Sequence, residues 1–74
     1  MPEQATELER LATIAADLEL SGEMRLKAIE LLGRIGTREA LLALLELVAR
    51  EELATEERDF ALRQARRIIR PRRG

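Results

Sequence analysis

The chain has 74 residues, enough for one small domain, and 13 basic against 14 acidic side chains leave a net charge of −1. It contains no Cys, His, Trp or Tyr and one Phe, which excludes zinc fingers, iron–sulfur clusters, thiol nucleophiles, imidazole bases and disulfide frameworks. The longest strictly apolar run, Ala40 to Leu45, falls far short of the roughly 18 residues that span a bilayer, and the absence of a leader pattern makes cytoplasmic the expected location.

Leu, Ala, Arg and the acidic residues dominate the composition, and the chain holds a single Val. These are strong helix formers with solvating charges, so the expected fold is all-α. A first helix is predicted over residues 3–18, with Pro2 suited to its first turn. Leu8, Leu11, Ile14, Ala15 and Leu18 fall on one side of its wheel, and Arg10, Thr13 and Asp17 on the other. Ser21-Gly22 breaks that pattern and offers Ser21 as the N-cap of a second helix, which ends near Ile35 with Gly36 as the C′ residue. Gly33 lies inside this helix, where it costs about 1 kcal/mol relative to Ala. It is expected to mark a close crossing against the third helix.

Thr37 is the expected N-cap of the third helix, which continues to Arg50 or Leu53. Its polar arc consists of Glu39, Glu46 and Arg50 alone, so it is either central or turned towards a partner. The fourth helix is expected to start at a Thr55 cap, with Glu56 and Glu57 in its first turn, and to stop near Arg70 before Pro71. Residues 1–70 then form a single helical domain and 71–74 a basic tail. Short connections make sequential helices antiparallel neighbours.

Sliding the sequence by 33 residues produces ten identities, among them Leu20 on Leu53, Arg25 on Arg58 and Ala28 on Ala61. The stretch Arg25-x-x-Ala28-x-x-x-Leu32-Gly33-x-Ile35-Gly36, followed by Thr37-x-x-Ala40-x-x-x-Leu44-x-x-Leu47, resembles a HEAT-like repeat. It is similar in particular to the short units of phycobilisome-lyase-type proteins. The likeness is clearest over Arg25 to Val48 and returns more weakly over Arg58 to Ile68, where Ala65 and Arg66 replace the Leu and Gly. The resemblance implies stacked helical hairpins that bind proteins. It does not carry lyase activity, because no residue here matches a catalytic motif. A plain four-helix bundle is the alternative arrangement.

Arg25 and Arg58 occupy helix N-terminal turns, where a cation opposes the helix dipole, so each is expected to pair with a carboxylate across the repeat. Glu51-Glu52 and Glu56-Glu57 are adjacent pairs whose side chains diverge by about 100° along a helix, and they read as solvated or capping groups rather than a catalytic dyad or a metal site. No cofactor or metal is expected.

Charge is unevenly distributed. Residues 1–57 hold six basic and 13 acidic side chains, whereas residues 58–74 hold seven arginines and one aspartate. Arg63, Arg66, Arg67 and Arg70 follow helical spacing and form a cationic stripe, opposite Ala61, Leu62, Ala65, Ile68 and Ile69. Phe60 and Leu42 lie off the main apolar stripes of their helices. With nucleophilic and acid–base machinery missing, the expected function is a non-catalytic interaction or assembly module. Its candidate partner-binding residues are Leu42, Phe60, Arg63, Arg66, Arg67 and Arg70, and its partner is a second copy in a homodimer or a larger protein. The alternative is a nucleic-acid-associated protein that sets the stripe on phosphates. Against that alternative stand the acidic remainder of the chain and the scarcity of stacking aromatics.

Overall fold

The computed structural model of the chain describes residues 3–69, with side chains from residue 7 onwards. Four helices follow in order: α1 (Glu3–Ala16), α2 (Gly22–Ile35), α3 (Arg38–Val48) and α4 (Thr55–Ile68). No strand occurs among the described residues, so the fold is all-α. The expected tail, 71–74, and Arg70 lie outside the described residues.

Local chemistry sets most of the boundaries. Ser21 has an extended backbone and its hydroxyl accepts from the Met24 amide at 3.2 Å, which starts α2. Gly36 then takes φ 68°, a left-handed conformation that costs glycine little, and its amide returns to the Leu32 carbonyl at 3.3 Å. The next residue, Thr37, opens α3 by accepting from the Ala40 amide at 3.1 Å.

Three ends differ from expectation. Helix α1 stops at Ala16, so Leu18 lies in the following turn and is exposed rather than facing the core. The Asp17 carboxylate accepts from the Glu19 amide at 2.9 Å, a local bond that competes with the helix. The Arg25 guanidinium takes the Asp17 and Leu20 carbonyls at 3.0 and 2.6 Å, which fixes the turn. Helix α3 stops at Val48, short of Arg50 or Leu53, and Leu53, in the α3–α4 connection, is buried in the core. Helix α4 is capped by Ala54, not by Thr55: the Ala54 carbonyl accepts from the Glu57 and Arg58 amides, and no side chain caps the end. At the other end Ile69 leaves helical geometry and is exposed, so it does not share the apolar face of α4.

Helices α1 and α2 form one hairpin, α3 and α4 a second, and α4 lies along α2. Helix α3 also touches α2 and α1, whereas α1 and α4 do not meet among the described residues. The result is a flat slab of 44 × 33 × 17 Å. Its core rests on three fully buried large side chains, Ile29, Leu32 and Leu44, with alanines filling the contacts between helices. Ala28 on α2 and Ala61 and Ala65 on α4 are buried, and side chains this small let the two axes approach. Burying each large aliphatic contributes about 1.5–3 kcal/mol, so three of them make a slim core.

A candidate partner-binding surface

Polar side chains hold the two hairpins together. Glu57, at the start of α4, is buried at 5% exposure, and its carboxylate accepts two bonds of 3.0 Å from Nε and Nη2 of Arg25 on α2. The sequence pattern placed Glu57 with Glu56 in solvent; the structure corrects this, because Arg25 reaches it from 32 residues away. This bidentate fork has fixed geometry and sets the register of α4 on α2. The hydrogen bond and charge of Glu57 raise the Arg25 guanidinium above its ordinary value despite the lowering effect of burial. Arg58, the counterpart of Arg25 33 residues on, makes a different bond: its Nε donates to the Val48 carbonyl at 2.9 Å, capping the end of α3 instead of pairing with a carboxylate.

The second lock is Gly33. Its expected crossing partner was the third helix, but the residue against it is Gln64 of α4. A Cβ at position 33 would meet the Gln64 side-chain amide oxygen, with Cδ at 2.9 Å and Cβ at 3.0 Å. Gln64 is buried at 5% exposure and its Oε1 accepts from Arg67 Nη1 at 3.3 Å. No buried side-chain polar atom among the described residues is left without a partner. Sequence reasoning passed over Gln64; the signal available was a helical glycine, which leaves room for one bulky neighbour.

The candidate residues divide between two places. Phe60 is half-buried and lines a shallow groove with Glu23, Met24, Leu26 and Lys27 of α2. Arg63 and Arg67 follow it by three and seven residues on an exposed face of α4, and Arg66 is exposed beside them. Arg70 lies outside the described residues. Leu42 belongs to α3 and is 54% exposed, next to Leu45 at 39% and an exposed Ala49. Spacings of three and four residues put these on one strip of α3, apart from the Phe60 groove. Met24 and Leu31, seven residues apart on α2, are 50% and 38% exposed.

Between α1 and α3 runs an open groove floored by Ala12, Ala16, Ala43 and Leu47, with Asp17 and Arg50 at its rim. No three acidic side chains converge as a metal site among the described residues, and no described helix is long and apolar enough to cross a membrane. The chemistry on offer is apolar contact and guanidinium–carboxylate pairing. The chain matches no protein-family model, and comparison with curated proteins and with solved structures finds no significant match.

Proposed function

We propose that this protein is a non-catalytic interaction or assembly module, a HEAT-like pair of hairpins that docks through apolar helix faces. The observation that carries this reading is the exposed Leu42–Leu45 strip on α3. A core with three fully buried large side chains has no apolar residue to spare, yet this helix packs on three others and still turns two leucines to water. The 33-residue internal offset supports the repeat reading, since α2 and α4 begin at Gly22 and Thr55 and end at Ile35 and Ile68. A cytoplasmic setting agrees with a chain that uses no disulfide.

The exposed Arg63, Arg66 and Arg67 favour a second reading, attachment to nucleic-acid phosphates. Salt separates the two. Sedimentation across a concentration series and titration of duplex DNA, each at low and high salt, are the measurements. Under the first reading a protein complex persists at high salt and is weakened by Leu42→Asp, with Phe60→Asp having the smaller effect. Under the second, DNA binding falls by orders of magnitude with salt and is lost in Arg63→Glu/Arg67→Glu. Salt-sensitive DNA binding with no protein complex at any concentration would overturn the first reading in favour of the second.

A further inference from the structure

The contact between the hairpins uses one side of each, and the 33-residue offset shows what the unused sides look like. On α4 the residues set against α2 include Glu57 and Gln64. Their counterparts 33 residues earlier are Met24 and Leu31, both exposed; helical spacing turns them away from Gly22 and Gly33, which face α4, with Met24 reaching the edge of the Phe60 groove. On α1 the floor of the groove facing α3 is Ala12 and Ala16. Their counterparts are Leu45 and Ala49, which with Leu42 form the exposed strip of α3. The two ends of the slab therefore carry exposed apolar side chains, Met24 and Leu31 at one and Leu45 at the other, at positions that are buried or half-buried inside it.

We propose that a second copy of this chain covers them, stacked end to end, with the Met24–Leu31 end of one molecule on the Leu42–Leu45 end of the next. This rests on the reading of the protein as an interaction module and specifies its partner. The intermolecular contact continues the one already present between the hairpins. Charge agrees with it at the rim: Asp17 and Arg50 border the same groove within one chain, and the same stacking step sets Arg50 beside Asp17 of the next copy. The two locks of the internal contact are not repeated. Met24 stands where Glu57 would be needed for Arg58, and Arg66 stands in the place of Gly33. By the same offset Met24 and Leu31 lie on the stems of Arg58 and Arg66, and Leu45 meets Ile14, so the outer contact lacks the buried ion pair and the close approach that hold the inner one. It is the weaker of the two, and it comes apart while each slab stays folded.

Such a contact joins unlike surfaces, so it does not close at two copies but gives a growing row or a ring. That makes it testable by blocking the ends separately. Two variants, Met24→Lys/Leu31→Lys and Leu42→Lys/Leu45→Lys, each spoil one end at exposed positions by setting cations against the arginines of the other end, and helical circular dichroism with thermal melting checks that both still fold. The expected result is that wild type gains mass beyond a dimer as concentration rises, that each variant alone stays monomeric, and that an equimolar mixture forms a one-to-one pair through the two intact ends. Self-association of the Met24→Lys/Leu31→Lys variant alone would overturn the proposal, because a symmetric dimer through α3 needs neither residue. Folded variants that remain monomeric when mixed would overturn it too. A wild type that is monomeric at every concentration would also overturn it, while leaving the reading of a module that docks on a larger protein standing.

Discussion

Gly33 and Gln64 act as a pair, and neither is explained alone. Glycine inside α2 gives up about 1 kcal/mol of helix propensity, and Gln64 is a buried polar side chain beside the buried alanines Ala61 and Ala65 of α4. Together they bring α2 and α4 to a separation at which a single Cβ does not fit. Gly33→Ala therefore lowers stability by about 1 kcal/mol despite its better propensity, because overpacking outweighs it. In a Gln64→Ala background the same substitution loses most of its cost, since the Oε1 and Cδ atoms that meet the new methyl are gone. Urea denaturation of the four proteins in this cycle measures the coupling; additive costs would show that the two residues do not meet. At this scale the sequence was legible in part. That Gly33 marked a close approach followed from a glycine in a helical pattern, but its partner did not, because which helix lies across it depends on how the two hairpins are set together. Glu57 was opaque for the same reason: beside Glu56 it reads as a solvated acid until Arg25 is brought to it.

The helix ends separate what is local from what is tertiary. Ser21, Gly36 and Thr37 act as the sequence suggests because a cap needs only its own turn. The end of α1 was misjudged because Leu18 continues the apolar spacing, yet Arg25 claims the Asp17 and Leu20 carbonyls and makes the turn more favourable than another helical step. At α4 the Thr55 hydroxyl sits one residue too late to cap. The consequence for stability is specific. Thr37→Ala costs about 1 kcal/mol, Thr55→Ala less than about 0.5, and Ala54→Ser adds about 1 kcal/mol by supplying the missing acceptor for the first-turn amides. Thermal melting of the three variants ranks them; a Thr55→Ala loss as large as that of Thr37→Ala would show that Thr55 caps after all.

As a whole the molecule is two hairpins side by side, 17 Å through its thinnest direction, with apolar side chains at both ends. The all-helical content and the four elements were readable from 3.6-residue periodicity. The distribution of the candidate residues was not: a helical wheel treats Leu42 and Phe60 alike as residues off their stripes, whereas Phe60 is half-buried beside α2 and Leu42 is 54% exposed. The wide apolar arc of α3 had two explanations, a central position or a partner. The first holds, since α3 touches the other three helices, and two of its leucines nevertheless remain in water.

That α1 and α4 do not meet bears on how the protein opens and closes over time. Among the described residues no contact ties the first helix to the last, so either is expected to peel away while the inner pair, α2 and α3, keeps its mutual contact. Amide hydrogens of α1 and α4 should therefore exchange with solvent deuterium through partial openings, and those around Ile29, Leu32 and Leu44 only through complete unfolding. Equal protection across all four helices would mean that the slab opens as one unit. Because most of its neighbours in space are also neighbours along the chain, refolding should be complete within microseconds to milliseconds.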